Sequence, residues 1–281
     1  MSWFEERAGL AGTVAIVTGG AGGLGQAIVA DLVANGVEVA VLDRDPGAAA
    51  ALPDGVLARV GDARDPAELA ALFAAVDERW GRLDTLVNVV GGTFRAAFTD
   101  TTPGGWDALL RTNLTHVLHA CSLAVPRMRA GGRGGSIITI STVEAHRAAP
   151  GFAVYAAAKA AVEHFARTLA VEVAPDGIRV NNVAPDYVPT PNLRRIGGGD
   201  GALDDPAGVR VAIPMGRAGV VTDVSHSVVF LASRLSAYIT GTTLHPDGGT
   251  HASAGWFNWP GEGWANHVPP RYLRDQPTGP M

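Results

Sequence analysis

A glycine-rich turn between a strand and a helix most constrains how this chain can fold. Residues 13–18 (TVAIVT) form a β-rich apolar run that leads directly into the glycines of residues 19–25. Residues 26–36 continue with apolar positions at helical spacing and end on Gly36, a predicted helix C-cap. Glycines let the backbone approach an anion closely, and the N-terminus of the following helix offers free N–H groups and a partial positive charge. This arrangement predicts a pyrophosphate site.

The rest of the chain repeats the alternation of apolar strands with helices. The predicted strands are residues 37–43, 56–62, 83–90, 135–141, 178–185 and the region near 241–246, and the predicted helices are 66–81, 103–128, 152–174 and 222–235. Continuous apolar strands separated by helices indicate a parallel sheet covered on both faces. Right-handed crossovers then give an α/β fold with a single doubly wound parallel sheet, the Rossmann fold.

Charge and composition exclude several classes of function. The chain of 281 residues has a net charge of −5 and lacks a basic run, so we expect no nucleic-acid partner. No apolar run approaches the roughly 18 residues of a membrane span, and the acidic start does not resemble a signal peptide, so we expect a cytoplasmic protein without membrane association. Cys121 is the single cysteine, and the sequence shows no metal-ligand spacing, so no metal is expected.

An acidic residue at the end of the second strand indicates the type of cofactor. Asp43 lies 18 residues beyond Gly25, near the roughly 20 expected for a carboxylate that binds the adenosine ribose diol. Its charge would repel a 2′-phosphate, and the glycine loop holds no basic residue to attract one. This pattern predicts NAD in preference to NADP. In the alternative interpretation, Asp43 only caps the following turn.

Lys159 is the only lysine, since the other 21 of the 22 basic residues are arginines. It follows Tyr155 by four positions, and on a helix such residues share a face. A phenol with a pKa near 10 is a poor base at pH 7, but a nearby ammonium lowers that pKa. Arginine is a broad planar fork, whereas this position requires a compact ammonium. We therefore predict that Tyr155 exchanges a proton with substrate, assisted by Lys159.

With these residues in place, the chain resembles the short-chain dehydrogenase/reductase family over about residues 10–252. The matching motifs are Thr18-Gly19-xxx-Gly23-x-Gly25, Asn113 in RTNL, Tyr155-xxx-Lys159 and RVNNVAPDYVPT at residues 179–190. The chain departs from the family pattern at three places. The family's NNAG is here Asn88-Val89-Val90-Gly91, so that Val90 replaces a small residue. Asp186 stands where the family has glycine, and Thr142 where it has the substrate-binding serine. Because aspartate tolerates left-handed geometry, the turn at Asp186 is expected to survive.

The resemblance implies a catalytic set of Asn113, Thr142, Tyr155 and Lys159. Ser141 replaces Thr142 if the preceding strand is shifted by one residue, because neighbouring residues point to opposite faces. Lys159 would also contact the nicotinamide ribose, and Asn113 would hold a water that connects the lysine to solvent. The implied cofactor-binding residues are Thr18, Gly19, Gly23, Leu24, Gly25, Asp43, Asp62, Ala63, Asn88, Gly91, Tyr155, Lys159, Pro185, Asp186, Val188 and Thr190.

Four residues are predicted to contact substrate. They are Thr142, Glu144, His146 and Tyr187, although Glu144 and His146 can equally belong to a solvated loop. The pocket wall would continue through residues 192–217, within a Gly- and Pro-rich stretch (186–219) that we interpret as a mobile loop. We also hypothesise that the charge of Asp186 favours the cationic NAD⁺ and hence alcohol oxidation.

Residues 253–281 form a tryptophan-rich extension beyond the predicted domain of residues 1–252. We predict that it packs over the substrate cleft of its own subunit or a neighbour's, or that it serves only as an oligomer contact. The two long helices, 103–128 and 152–174, resemble those of the family's dimer bundle, which implies a homotetramer.

Together these patterns predict an NAD-dependent oxidoreductase that interconverts a secondary alcohol and a ketone. Two alternatives stay open on the sequence alone. One is a non-catalytic NAD-binding sensor or scaffold, which the complete Tyr155, Lys159 and Asn113 set argues against. The other is a lyase or isomerase that uses the same tyrosine.

Overall fold

Seven parallel strands form one central sheet. The computed structural model describes residues 3–191, 193 and 205–273. In chain order the strands are β1 (Val14–Thr18), β2 (Glu38–Asp43), β3 (Leu57–Val60), β4 (Thr85–Asn88), β5 (Gly135–Ile140), β6 (Ile178–Val183) and β7 (Thr243–Leu244). They lie in the order β3-β2-β1-β4-β5-β6-β7. Strands are thus added toward one edge of the sheet from β1 to β3 and toward the other edge from β4 onward, so the strand order reverses between β1 and β4. In doubly wound sheets a ligand cleft opens at that reversal, beyond the carboxyl ends of the strands.

Helices cover both faces of the sheet. They are α1 (Trp3–Ala8), α2 (Gly23–Ala34), α3 (Pro46–Ala50), α4 (Pro66–Trp80), α5 (Pro103–Leu110), α6 (His116–Gly131), α7 (Ala153–Val173), α8 (Pro206–Ala212), α9 (Val221–Ala232) and α10 (Thr250–Ser253). One apolar core lies between the sheet and α4, α6 and α7, and the other between the sheet and α2 and α9. The predicted doubly wound α/β fold is confirmed.

Local sequence signals explain where individual helices begin and end. The side chain of Asp65 accepts a hydrogen bond from the amide of Ala67, Pro66 occupies the first turn of α4, and Gly81 ends the helix in a left-handed conformation. α2 ends earlier than predicted, with Asn35 as its C-cap and Gly36 one residue beyond at φ +75°. Gly36 therefore terminates the helix from the position after the cap.

The predicted helix over 103–128 is interrupted and longer than expected. α5 and α6 are joined by a π-helical turn, Arg111–Thr115, which inserts one residue into the helical repeat. Pro126 lies inside α6 and does not end it, since the helix runs on to Gly131. Periodicity alone could not show the π turn, because a single extra residue leaves the apolar pattern on either side intact.

The C-terminal extension contains a β-hairpin that the sequence did not predict. β8 (Phe257–Trp259) and β9 (Gly263–Ala265) pair in antiparallel fashion, and β8 packs beside α8. Within residues 186–219, which were predicted to be a mobile loop, Pro206–Ala212 instead form the helix α8. Residues 192 and 194–204 of that stretch, and residues 274–281 at the end of the extension, lie outside the described residues.

No helix among the described residues is long and apolar enough to span a bilayer.

Candidate active site

The glycine loop packs its backbone so closely that only glycine fits at its centre. A β-carbon on Gly25 would lie 2.0 Å from the carbonyl oxygen of Gly19. Gly19 and Gly23 have φ values of +72° and +52°, which other residues rarely adopt. Leu24, between Gly23 and Gly25, packs against the core on the α2 face. The loop thus presents backbone rather than side chains toward the cleft.

Val90 fits beside this loop because Gly19 has no side chain. A β-carbon on Gly19 would approach the Cγ2 atom of Val90 to 3.0 Å and its backbone nitrogen to 3.1 Å. The departure from a small residue at Val90 therefore leaves the end of β4 in contact with the glycine loop.

Asp43 ends β2 with its carboxylate fixed next to the glycine loop. Its Oδ2 atom accepts a 3.0 Å hydrogen bond from the amide of Ala21, and Oδ1 accepts one of 3.1 Å from the amide of Asp45. The cap of α3 is supplied by Asp45, whose side chain accepts from Gly47 and Ala48. Asp43 thus steadies the turn and also connects it to the loop, while the neighbouring Arg44 is exposed.

The other residues expected near the nucleotide lie at the same edge of the sheet. Asp62 pairs with Arg64 at 2.5 Å, and this contact lowers the pKa of its carboxyl. Ala63 is buried. Thr18 and Asn88 lie side by side at the carboxyl ends of β1 and β4. Both carry buried side-chain oxygens that have no hydrogen-bond partner in the described part of the chain.

Tyr155 and Thr142 form the floor of the cleft. Thr142 follows β5, Tyr155 lies near the start of α7, and the Thr142 hydroxyl is close enough to the phenol to act on its pKa. Burial raises the pKa of Tyr155 to about 12, the Thr142 hydrogen bond opposes this increase, and Glu144 adds to it. The expected decrease in the pKa of Tyr155 is therefore wrong, because the removal of the phenol from water outweighs the contact with Thr142.

Ser141 points to a different partner. Its hydroxyl donates a 2.5 Å hydrogen bond to Oε1 of Glu163, which lies one turn beyond Lys159 on α7. Glu163 is buried and also accepts from the hydroxyl of Thr243 on β7. The strand register thus places Thr142, and not Ser141, beside the tyrosine.

Lys159 is buried at the bottom of the same cleft. Its Nζ atom donates a 2.8 Å hydrogen bond to the carbonyl oxygen of Ile140, the last residue of β5. Burial lowers its pKa to about 8, and the nearby Glu163 opposes that decrease. At pH 7 the ammonium therefore persists. A β-carbon on Gly91 would lie 3.2 Å from this Nζ atom and 3.3 Å from Oδ1 of Asn113, so Gly91 leaves room between them.

The π turn positions Asn113. Its Nδ2 atom donates to the carbonyl oxygens of Gly92 and Leu109 at 2.8 and 2.9 Å, and its Oδ1 atom accepts from the amide of Gly92 at 3.2 Å. The widened turn presents the Leu109 carbonyl to a side chain. Asn113 thereby ties the helix to the loop after β4, next to Lys159.

The segment after β6 forms the opposite wall. Thr190 faces the glycine loop, with its methyl group 3.6 Å from where a β-carbon on Gly23 would lie, and Val188 is buried. The carbonyl of Pro185 accepts a 3.2 Å hydrogen bond from the amide of Val143. Tyr187 lines a separate cavity of about 200 Å³ with Ile213, Met215 and Pro246.

Asp186 is not left as a free charge. Arg147 contacts it at 3.2 Å and contacts Glu144 at 2.7 Å. Burial raises the pKa of the Asp186 carboxyl, while Arg147 opposes that increase. In the described chain only Ala254 among non-glycine residues has a positive φ, so Asp186 does not need the left-handed geometry expected for this position.

The two substrate contacts predicted after Thr142 are engaged by protein groups. Glu144 binds Arg147, and Nε2 of His146 lies 2.9 Å from Oε2 of Glu163. Sequence reasoning missed Arg147 and Glu163. Glu163 could have been found, because Tyr155, Lys159 and Glu163 follow one another at intervals of four along one helix face.

The cleft has the features that a dinucleotide requires. The glycine loop opens at the N-terminus of α2, and Asp43 carries carboxylate oxygens beside it. Apart from its chain neighbours, no atom of the described residues lies within 4 Å of where a β-carbon on Gly22 would be. The group formed by Tyr155, Lys159 and Asn113 lies near the loop after β4, where the strand order of the sheet reverses. These residues fit a bound nicotinamide dinucleotide and define a Rossmann-fold oxidoreductase.

Comparison with known proteins places the chain more narrowly. A family model described as enoyl-(acyl carrier protein) reductase matches residues 19–251. The 3-oxoacyl-[acyl-carrier-protein] reductase FabG of Escherichia coli K12 is 36% identical over 247 residues, covering 85% of this chain and 98% of that protein. The short-chain reductase protein NovJ of Streptomyces niveus is 38% identical over 249 residues, covering 84% and 93%.

A solved structure agrees with these relatives. The crystal structure of gox2181 has a TM-score of 0.81 and 32% identity, and the match covers 89% of this chain and 100% of that one. The chain belongs to the short-chain dehydrogenase/reductase family, whose members bind a nicotinamide cofactor.

Proposed function

We propose that this protein is an NAD-dependent oxidoreductase that interconverts a secondary alcohol and a ketone. One observation carries the proposal: Lys159 and Asn113 meet beside Gly91, and Tyr155, one helical turn before Lys159, interacts with the Thr142 hydroxyl. A hydroxyl pair on the floor, with a buried ammonium behind it, suits proton exchange with a substrate oxygen.

The side chains divide the chemistry between them. Thr142 holds the substrate oxygen by a hydrogen bond, and Tyr155 exchanges the proton on that oxygen. The bound dinucleotide supplies or accepts the hydride at the carbon. Lys159 is held by the Ile140 carbonyl and keeps a positive charge behind the tyrosine. Asn113 keeps the loop at Gly92 in place, so the lysine stays enclosed.

The state of Tyr155 favours the reducing direction. A phenol whose pKa is about 12 is protonated at pH 7 and can donate directly to a ketone oxygen. Oxidation first requires removal of that proton, which costs more at lower pH. The names of FabG and NovJ describe both relatives as reductases, which supports the same direction.

The preference for NAD rests on Asp43. Its carboxylate is fixed beside the glycine loop, where it can accept from ribose hydroxyls and repel a 2′-phosphate. Arg44 is a nearby group that could favour NADP, since it is exposed and its charge lowers the pKa of Asp62. We also propose that the tryptophan-rich extension packs over the substrate cleft or serves as an oligomer contact. The protein is further proposed to assemble as a homotetramer.

The test follows the absorbance of NADH and of NADPH with a panel of ketones and secondary alcohols. We expect turnover with NADH, and we expect Tyr155→Phe to bind NADH normally while losing most of that turnover. Tight NADH binding without turnover of any substrate would instead support a sensor or scaffold. Conversion of substrate without a net change in NADH would support a lyase or isomerase.

A further inference from the structure

Three histidines from distant parts of the chain meet beside the substrate loop. His146 follows the turn at Val143–Ala145, His245 follows β7, and His251 lies in α10. One nitrogen from each imidazole lies within 4.8 Å of one nitrogen from each of the others. The ring centroids are 4.2 to 4.9 Å apart, with His245 stacked on His251.

One buried carboxylate holds the ring of His146, and another fixes the backbone at His251. Nε2 of His146 contacts Oε2 of Glu163 at 2.9 Å, which leaves Nδ1 of that ring available. Asp247 is buried and accepts 2.7 and 2.8 Å hydrogen bonds from the amides of His251 and Gly249. A histidine that donates one nitrogen to a carboxylate while the other binds a metal is the common arrangement in metalloproteins.

His245 supplies an independent observation. Its Nε2 atom is buried and has no hydrogen-bond partner among the residues that the structure describes. A buried nitrogen without a partner is costly unless something occupies that position.

We propose that His146, His245 and His251 bind a divalent transition-metal ion of the zinc type. Three nitrogens within 4.8 Å of one another share a central point at most about 2.8 Å from each, so each must move inward by at most about 0.7 Å to reach typical zinc–nitrogen distances. His245 and His251 must also tilt out of their stacked arrangement, because the lone pair of an imidazole nitrogen lies in the plane of its ring. His251 is exposed, so the fourth position opens to solvent.

Such an ion would connect two segments around the cleft. His146 lies four residues beyond Thr142, and His245 and His251 flank the turn that precedes the tryptophan-rich extension. Metal binding would therefore fix the substrate loop against the C-terminal part of the chain. The site shares no residue with Tyr155 and Lys159, and its occupancy can be measured without any turnover.

The experiment titrates tag-free, chelator-treated protein with Zn²⁺ by calorimetry and with Co²⁺ by visible absorption. We expect one metal ion per chain and a Co²⁺ spectrum typical of nitrogen ligands. His146→Gln and His251→Gln should each weaken binding at least about tenfold. Zn²⁺ should also raise the melting temperature of the wild type, because a ligand that binds only the folded state stabilises it.

His226→Gln is the matched control, since that histidine is 72% exposed and lies on α9 outside the cluster. It should bind metal like the wild type. Melting curves of the metal-free variants identify any that fail to fold, and the exposed His251 is the site least subject to that failure. The proposal is overturned if the wild type binds Zn²⁺ no more tightly than the His146→Gln/His251→Gln double variant.

Discussion

Ser141 and Glu163 form a buried hydrogen bond of 2.5 Å, and this contact decides which of two adjacent hydroxyls can serve the substrate. Because neighbouring residues at the end of a strand point to opposite sides, Thr142 then faces Tyr155. The two hydroxyls are therefore expected to differ in function although they are adjacent in sequence.

We expect Thr142→Ala to lower kcat by about 10²-fold, since it removes a hydrogen-bond donor at the substrate oxygen. Ser141→Ala should leave kcat within a few-fold of the wild type. It should instead lower the free energy of unfolding by about 1–3 kcal/mol, because one oxygen of Glu163 loses a buried partner. Steady-state kinetics and urea unfolding of both variants measure the difference. Equal losses of kcat in the two variants would contradict this assignment.

The buried ammonium of Lys159 should cost stability while it serves catalysis. Because burial lowers its pKa from 10.5 to about 8, the folded state resists protonation of this group. Lys159→Met should therefore abolish most turnover and yet raise the free energy of unfolding by up to about 3 kcal/mol at pH 7. Some of that gain is offset because the Ile140 carbonyl loses its donor.

The pH dependence gives the sign of this effect. An unfolded lysine binds its proton up to about pH 10.5, but the folded one releases it near pH 8, so the wild type gains stability between these values. The stability difference between Lys159→Met and the wild type should be largest below pH 8 and disappear toward pH 10.5. Lys159→Arg should keep the charge but lose most activity. A difference that does not vary with pH would contradict the pKa assignment.

Asp43 should determine the choice of nicotinamide cofactor. Replacing it with serine removes the charge that opposes a 2′-phosphate, so the ratio of kcat/KM for NADH to that for NADPH should fall at least about tenfold, or ~1.4 kcal/mol. Asp45→Ser is the control, since that carboxylate caps α3 instead. An unchanged ratio in Asp43→Ser would contradict this assignment. A wild type that prefers NADPH and loses that preference in Arg44→Ala would identify Arg44 as the determinant.

Local patterns in the sequence were sufficient for the elements that repeat with regular spacing. The strand, glycine loop and α2 could be predicted because each depends on neighbouring residues, and the Tyr155 and Lys159 pair because helix geometry is periodic. The π turn at Asn113 escaped prediction, since one inserted residue does not disturb the apolar positions. The β8–β9 hairpin escaped because its three-residue strands are too short to show alternation.

Contacts between distant segments could not be predicted from spacing at all. Arg147 reaches Asp186 from 39 residues away, and Glu163 reaches Thr243 from 80. His146 follows β5, and His245 and His251 follow β7. These histidines come together because β5 and β7 lie on either side of β6 in the sheet. Such convergence depends on the folded sheet, which is why neither the histidine cluster nor the partner of Asp186 was expected.

The ion pair between Arg147 and Asp186 changes what should be expected of the Asp186 charge, which we predict to lie near the nicotinamide. Asp186→Gly should still weaken NAD⁺ binding more than NADH binding, by at least about threefold, or ~0.7 kcal/mol. Arg147→Gln should act in the opposite direction, because it leaves the Asp186 charge uncompensated. Fluorescence titration of both cofactor forms measures the ratio, and the double variant measures the coupling. An equal effect of Asp186→Gly on both forms would exclude the charge as the cause.

The tryptophan-rich extension should influence substrate selectivity through α8. β8 packs beside that helix, which lies within the predicted substrate wall of residues 192–217, while Trp256 and Trp264 remain 48% and 49% exposed. Deletion of residues 254–281 should therefore alter the ratio of kcat/KM between small and large ketones. Trp264→Ala should produce part of the same change, whereas Trp3→Ala, at a position 67% exposed near the other end of the chain, should not. Size-exclusion chromatography with light scattering supplies the decisive comparison, because unchanged selectivity together with a smaller assembly would assign the extension to subunit contact alone.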